Sequence, residues 1–326
     1  MLRNTLLLAA SLAVLGAASE AAEPSLSLPV ACTPGETCWI ANYADHDPGP
    51  GFRDYHCGAL GYDGHDGTDI ALRDEGAMKE GVAVVAAAPG TVRGLRDGMD
   101  DVGLRGASKE QIAGRECGNG VVLTHDDGWE TQYCHMRKGS VAVRQGERVE
   151  RGQTLGLVGL SGNTEFPHLH LTVRHGRQAI DPFLGETPYG ACQIAADSLW
   201  EPGTRAALAY RPIAIYNAGF SGEAPKADAI RRGERTPPAR DAGALILWAD
   251  IFGIDPGDRI VLRIVGPDGA VVLDHATTID RRSIRRFEYG GKRTPAGSWA
   301  AGTYRGEIVV QRNGAEERRS ETIELR

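Results

Sequence analysis

The hydrophobic residues of this chain recur mostly at every second position, in short runs that turns separate. The run 167–173 (PHLHLTV) alternates leucine or valine with histidine or threonine. Successive side chains of a β-strand point to opposite faces, so the run predicts a strand with one apolar face and with His168 and His170 side by side on the other. A half-exposed strand with two solvated histidines gives the same pattern, and the rest of the chain must decide between the two interpretations.

Other runs extend the β pattern before residue 193. Residues 120–125 and 129–136 are rich in β-branched and aromatic residues and flank an Asp-Asp-Gly turn, which predicts a hairpin. Strands are also expected at 82–87 and 155–159. Residues 96–116 are polar and charged, with a short helix expected after Ser108 as its N-cap. A loop of this length in a compact domain is usually functional or mobile, and it can cover a groove.

The pattern changes after Cys192. Residues 199–243 are rich in Pro, Gly and polar residues, which predicts a connector with one or two edge strands. From residue 244 onward, short strands alternate with turns and no helical periodicity intervenes. This spacing predicts a small β-sandwich of immunoglobulin-like type. The 43 glycines and the short apolar runs predict that the whole chain is mainly β.

The first residues have the features of a secretory signal. Arg3 precedes an apolar core over 5–16, and small residues over 17–22 offer cleavage sites, including one after Ala21. The apolar run is too short to span a membrane comfortably, although an uncleaved anchor is the alternative. We therefore expect an exported protein, in the periplasm or outside the cell, with no stable membrane span after signal removal.

Together these observations divide the chain into five parts. We expect a signal peptide at 1–21, an N-terminal strap at 22–55, a β domain at 56–192, a connector at 193–243 and a C-terminal β-sandwich at 244–326.

Charge and cysteine content narrow the classes of function. The net charge of -7 does not indicate a basic surface that would bind nucleic acid. All six cysteines lie before residue 193, and an even number behind an export signal favours disulfides. Cys117 and Cys134 flank the predicted hairpin and can face each other, so they are the best single pair. The other pairings stay open.

Four histidines and one aspartate have the spacing of a metal site. In an extended chain His65 and Asp69 share one face, as His168 and His170 do, and His135 lies on the return strand of the hairpin. A catalytic zinc ion usually takes three protein ligands and leaves one position to water. The set exceeds what one ion needs, and a hydrolase also requires groups that move protons and stabilise charge.

The order of these motifs over residues 55–185 resembles the lysostaphin/LytM-type zinc endopeptidases. A lone His-x-His is weak evidence, whereas the ordered set is specific. The motifs are His65-Asp66-Gly67-Thr68-Asp69-Ile70-Ala71, Tyr133-Cys134-His135-Met136, Pro167-His168-Leu169-His170 and Asp181-Pro182.

The resemblance implies a compact antiparallel β metallopeptidase domain with its site in a groove across one sheet. It implies one zinc ion bound by His65, Asp69 and His170, with His135 and His168 as catalytic residues that do not bind the metal. The implied reaction is hydrolysis of peptide bonds in peptidoglycan cross-links or stem peptides, with zinc-bound water as the nucleophile. One catalytic histidine takes the proton of the water, and the other donates to the oxyanion or the leaving amine. The sequence does not say which does which.

Three questions stay open at this point. Glu165 and Phe166 depart from the family pattern, and they either shape a substrate pocket or cap the loop. A residue of the strap, Asn42, Asp45 or Asp54, can fill the open zinc position and block the site. Some relatives have lost their ligands, so the alternative to an enzyme is a non-catalytic cell-envelope binding module or a regulator of other wall hydrolases. In either case the C-terminal domain can bind a protein partner.

Overall fold

The computed structural model describes residues 23–187 and 197–326, and the expected signal peptide and Cys192 lie outside these ranges. The described chain is mainly β, as predicted, and all pairings between its named strands are antiparallel. Within these ranges no helix has the length and apolar character needed to cross a membrane.

The strands are β1 Cys38–Asn42, β2 Thr68–Leu72, β3 Ala83–Val85, β4 Gly90–Arg96, β5 Asn119–Thr124, β6 Trp129–Met136, β7 Arg148–Val149, β8 Thr154–Leu157, β9 His168–His175, β10 Gln178–Ile180, β11 Ala214–Ser221, β12 Ala244–Ile254, β13 Arg259–Val265, β14 Val271–Thr278, β15 Ser283–Arg293, β16 Gly302–Arg312 and β17 Ala315–Leu325. The helices are α1 Glu75–Glu80, α2 Gly103–Gly106, α3 Lys109–Ile112, α4 Pro202–Ala207 and α5 Ala227–Arg231.

One large sheet organises the N-terminal half of the chain. Its strand order is β1-β2-β9-β6-β5-β4-β7, with β10 paired to β9, and β3 and β8 form a separate two-stranded sheet. Leu169, Leu171 and Val173 are fully buried in a core on one face of the large sheet, as the alternation predicts. Burial of each such side chain stabilises the fold by roughly 1.5–3 kcal/mol. The opposite face is therefore left to the histidines of β9.

The long polar insertion at 96–116 folds back onto the loop that precedes β9. It contains α2 and α3, and Ser108 caps α3 through a capping box with Gln111, as expected. The backbone N–H groups of Gly103 and Leu104 donate to the carbonyl oxygens of Leu160 and Thr164. The insertion is thus fixed beside the start of β9.

The strap supplies an edge strand of the large sheet. β1 pairs with β2, and a disulfide joins Cys38 at the start of β1 to Cys32. The second disulfide, between Cys117 and Cys134, confirms the pairing that the sequence favoured. Its two Cα atoms lie 4.8 Å apart across the β5–β6 hairpin.

The C-terminal half consists of two sheets that share one core. Their strand orders are β11-β12-β15 and β14-β13-β16-β17, and Leu247, Leu262 and Ile308 are fully buried between them. β11 lies in the range predicted as a connector, although it is an edge strand of the first of these sheets. We therefore propose that the C-terminal domain begins at β11. Its assignment as immunoglobulin-like stays a prediction.

A small apolar cluster joins the two halves. Trp39, Ala41 and Ala71 from the large sheet are buried against three residues of the C-terminal domain, which are Ala214, Tyr216 and Phe252. Ala71 lies opposite His168 in the β2–β9 pairing, and paired residues project on the same face of a sheet. The C-terminal domain therefore packs on the same face that carries the histidines of β9.

Candidate metal centre

The pairing of β2 with β9 brings the two main motifs together. Asp69 lies directly opposite His170, so the two side chains project from the same face. His65 precedes β2, and its ring lies between the carbonyl oxygen of Tyr43, 2.7 Å from Nδ1, and Asp69 Oδ1, 3.2 Å from Nε2. All three residues are at least nine-tenths buried.

Three ligand atoms form a small triangle at this point. His65 Nε2 lies 3.2 Å from Asp69 Oδ1 and 3.1 Å from His170 Nδ1, and the third side, from His170 Nδ1 to Asp69 Oδ1, measures 2.8 Å. Ligand atoms at about 2.0 Å from a tetrahedral zinc ion lie about 3.3 Å apart. Of the His, Cys, Asp and Glu residues in the described ranges, these three form the group that can hold a metal ion.

The hydrogen bonds around the triangle leave its inner atoms with lone pairs. The Nδ1–H of His65 donates to Tyr43, which leaves Nε2 as an acceptor. Nε2 of His170 lies 2.9 Å from Thr172 Oγ1 and 3.3 Å from a carboxylate oxygen of Asp66, which can only accept when ionised. Two imidazole lone pairs and a carboxylate oxygen thus face one another, and a cation between them removes their mutual repulsion. The residues present fit a zinc ion.

Asp69 is held as an anion. Burial alone raises the pKa of its carboxyl, but the charges of His168 and His65 and hydrogen bonds from His168 and His170 outweigh burial and hold the pKa well below its usual range. Asn42 Nδ2 donates to Asp69 Oδ2 over 2.8 Å, which leaves Oδ1 for the triangle. The side-chain oxygen Oδ1 of Asn42 is buried without a hydrogen-bond partner among the described residues.

Without a metal ion, a proton takes the place of the cation. Burial lowers the pKa of His170, but hydrogen bonds to Asp66 and Asp69 and the charges of both carboxylates raise the pKa to about 9. Metal binding at this site would therefore release a proton from His170.

His135 reaches the site through a β-bulge. β6 has one more residue than β5 between the pairs Val121–Tyr133 and Asn119–Met136, and His135 has a φ of 61° there. Few residues other than glycine adopt this left-handed conformation, and a bulge re-aims the side chain that it carries. The Nδ1–H of His135 donates to the carbonyl oxygen of Ser161 over 2.8 Å, and its ring centroid lies 4.6 Å from that of His168.

His168 is oriented by the loop that precedes β9. Its Nδ1 lies 2.9 Å from the carbonyl oxygen of Phe166 and 3.1 Å from Thr164 Oγ1. Its Nε2 therefore faces the cluster and lies 3.3 Å from Asp69 Oδ1. The pKa of His135 is lowered well below its usual value by burial and by the charges of His168 and His170. The two rings thus lie side by side at the edge of the triangle, each with Nδ1 tied to a carbonyl oxygen.

Of the strap residues expected to reach the site, Asn42 contacts it. Asp45 accepts hydrogen bonds from backbone N–H groups within the strap and from Gly64. Asp54 likewise accepts from N–H groups of residues 56, 58 and 60. Both carboxylates thus stabilise local turns. Sequence reasoning missed Asp66, whose contact with His170 depends on the pairing of β2 with β9.

A cleft of about 450 Å³ opens beside the triangle. Asn42, Asp69 and His168 line one part of it, and Leu104 of the 96–116 insertion lines another. Residues 163–166 line it as well, so Glu165 and Phe166 both face the cleft. Tyr62 also lines the cleft, and the rest of its lining comes from the C-terminal domain, which sequence reasoning did not assign to the site.

Residues 63–182 match the family model "Peptidase family M23". The chain is 38% identical over 73 residues to the cell division protein DipM of Caulobacter vibrioides, which is 21% of this chain and 12% of that protein. It is 43% identical over 53 residues to the peptidoglycan DD-endopeptidase ShyA of Vibrio cholerae, covering 16% of this chain and 12% of ShyA. These matches span a small fraction of each relative.

Similar solved structures include two catalytic domains. The lysostaphin domain of Staphylococcus simulans has 23% identity and a TM-score of 0.28, over 43% of this chain and 85% of that one. The domain of the M23 protein EnpA of Enterococcus faecalis has 22% identity and a TM-score of 0.33, over 52% of this chain and 97% of that one. The family match confirms the resemblance found in the sequence. This chain therefore carries a domain of peptidase family M23 that includes residues 63–182.

Proposed function

We propose that this protein is an exported zinc metalloendopeptidase that hydrolyses peptide bonds in peptidoglycan cross-links or stem peptides, in the periplasm or outside the cell. The carrying observation is the triangle of His65 Nε2, Asp69 Oδ1 and His170 Nδ1, which lies at the edge of a cleft beside two further histidines. Relatives named as peptidoglycan endopeptidases support the substrate class.

One zinc ion would be held by His65, Asp69 and His170. When bound, zinc supplies a Lewis acid that activates water at neutral pH and polarises a carbonyl group. The chain orients its own ligands for this: Tyr43 fixes the ring of His65, Asp66 lies against the ring of His170, and Asn42 holds the outer oxygen of Asp69. Such outer contacts fix tautomer and ring orientation in metal sites.

His135 and His168 would move protons. Because each Nδ1–H is held by a backbone carbonyl oxygen, each ring keeps Nε2 for a reacting group. One Nε2 accepts the proton of the attacking water, and the other ring, when protonated, donates to the oxyanion or the leaving amine. Because the two rings are neighbours, one can accept a proton and the other can donate one in the same reaction.

The test combines metal content with cleavage of purified sacculi. We expect about one zinc ion per chain, release of new amino groups, and muropeptide products whose masses identify the bond cleaved. His65→Ala and His135→Ala should both lose cleavage. A protein that holds no zinc, and whose two variants act on sacculi as the wild type does, would overturn the proposal. A zinc-loaded protein that binds sacculi without cleaving them would instead identify a binding module or regulator.

A further inference from the structure

The C-terminal domain contributes a cationic wall to the cleft. Arg231 at the end of α5 and Arg285 of β15 line the same cavity as Asp69 and His168, and Ile284 lies beside them. The two arginines come from the part of the chain that follows the peptidase domain, so their position depends on the packing of the two halves.

Arg285 is fixed in this position by aromatic side chains. Its guanidinium carbon lies 5.1 Å from the ring centroid of Phe166 and within 6 Å of the rings of Tyr216 and Phe252. Its Nε–H donates to the hydroxyl oxygen of Tyr216 over 3.1 Å, and the side chain is 14% exposed. Cation–π contacts and this hydrogen bond hold the guanidinium still, in a partly desolvated place.

The charges of the wall do not cancel. Asp250 is fully buried and binds Arg231 through two hydrogen bonds of 2.7 and 3.0 Å, whereas its nearest contact with Arg285 measures 3.6 Å. One carboxylate thus faces two guanidinium groups. Within the described ranges Nη1 of Arg285 has no hydrogen-bond acceptor, and Glu165, the exposed acid of the lining, pairs with neither arginine.

We propose that Arg285 binds a carboxylate group of the substrate peptide, so that the C-terminal domain is part of the substrate site. A planar guanidinium with unused N–H donors is the group that recognises carboxylates in partly desolvated clefts. Arg231 is a positioning residue, because it binds the carboxylate of Asp250 and so prevents that carboxylate from neutralising the charge of Arg285. This inference rests on the proposed function, and it adds that the cleft selects substrate peptides by a carboxylate group.

The test compares two forms of one substrate. A cross-linked peptide purified from sacculi and its chemically amidated form, in which carboxylates are replaced by carboxamides, are offered to the zinc-loaded protein. We expect wild type to favour the free carboxylate form by about tenfold or more in kcat/KM and in Kd. Arg285→Gln should reduce this ratio to within about twofold, and Arg285→Lys should restore part of it.

Arg286→Gln is the matched control. Arg286 is the next residue of β15, it pairs with Glu288, and it is outside the cleft lining. Its substitution should leave the ratio unchanged. Equal use of both forms by the wild type, or a preserved ratio in a folded Arg285→Gln variant, would overturn the inference.

Binding measurements separate this inference from the proposed function. Titration of each peptide form into the His168→Asn protein reports selectivity without turnover. Cleavage of both forms at equal rates would refute the carboxylate site and leave the peptidase standing. If the wild type binds the carboxylate form selectively but cleaves neither form, the carboxylate site is supported and the proposed peptidase activity is refuted. Should Arg285→Gln fail to fold, as judged by circular dichroism, the wild-type comparison alone decides.

Discussion

The backbone N–H of His135 donates to the carbonyl oxygen of Cys117 over 2.8 Å, and the residue before His135 is joined to Cys117 by a disulfide. Both contacts act where His135 has its left-handed φ of 61°. Strained residues of this kind persist when their surroundings fix them. The disulfide thus helps to hold the conformation that aims His135 at the site.

Removal of this disulfide should affect catalysis more than metal binding. The double substitution Cys117→Ser, Cys134→Ser opens a loop with a sequence separation of 17 and should lower the free energy of unfolding by about 3 kcal/mol. We expect kcat on sacculi to fall at least tenfold, with zinc affinity changed less than about threefold, because no metal ligand lies on β6. Denaturant unfolding and metal titration measure the two effects. Cys32→Ser, Cys38→Ser is the control, and an equal loss of kcat there would contradict a specific role.

Substitutions of the five candidate residues should fall into two groups. His65→Ala, Asp69→Ala and His170→Ala should lose the zinc ion, since each removes one corner of the triangle. His135→Ala and His168→Ala should keep zinc at about one ion per chain while cleavage falls by about 10²–10⁴-fold. Elemental analysis of the purified variants gives the metal content. Loss of zinc from the His168 variant would place that residue among the ligands.

Asp66→Asn should weaken metal binding without removing a ligand. The Asp66 carboxylate lies 3.3 Å from His170 Nε2, opposite the nitrogen of the triangle, and an amide there stabilises the ring less. We expect the zinc Kd to rise about 10–100-fold. Asp63→Asn, an exposed residue of the same loop, should leave the Kd unchanged. A normal zinc Kd for Asp66→Asn would show that the contact with His170 does not support the metal.

Asn42→Ala distinguishes support of the site from blockage of it. If Asn42 holds Asp69 in place through its 2.8 Å hydrogen bond, the variant should bind zinc about tenfold more weakly and cleave more slowly. If the buried side-chain oxygen Oδ1 of Asn42 instead occupies the open zinc position, the variant should cleave faster at full zinc loading. We expect the first result, measured by metal titration and by release of amino groups.

Gly67 lies where no side chain fits. A Cβ atom there would lie 2.4 Å from the carbonyl oxygen of Leu171 and 2.8 Å from His170 Nε2. Gly67→Ala should therefore separate β2 from β9, with a loss of about 2 kcal/mol or more in the free energy of unfolding and loss of zinc. Gly94→Ala, whose Cβ would meet nothing within 4 Å, is the control. Zinc binding by a stable Gly67→Ala protein would argue against this tight approach.

The sequence predicts the parts of the site that depend on local pattern. The alternation of residues 167–173 is sufficient to give β9 an apolar face and a histidine face, and the Asp-Asp-Gly turn is sufficient for the β5–β6 hairpin. The place of His135 is different. Cys134 lies opposite His170, so strict alternation would turn His135 toward the core beside Tyr133, and the bulge reverses this. The sequence placed His135 on the return strand of the hairpin and the motif resemblance gave it a catalytic role, but strand periodicity does not predict the direction of its side chain.

Tertiary contacts account for what the sequence did not predict. Arg285 lies more than a hundred residues from His168, and no local pattern shows that the two line one cavity. The predicted connector contains β11, which is rich in small and polar residues and pairs with β12 as an edge strand. Its role depends on Tyr216, which is buried against Trp39 of the other domain.

The apolar cluster between the two halves affects how this protein can diversify. Trp39 and Ala71 pack against Tyr216 and Phe252, so the C-terminal domain is held beside the cleft by a contact that includes no candidate metal ligand. On the function proposed above, substitutions in the C-terminal domain would therefore alter which peptide is accepted while the residues proposed for bond cleavage stay unchanged.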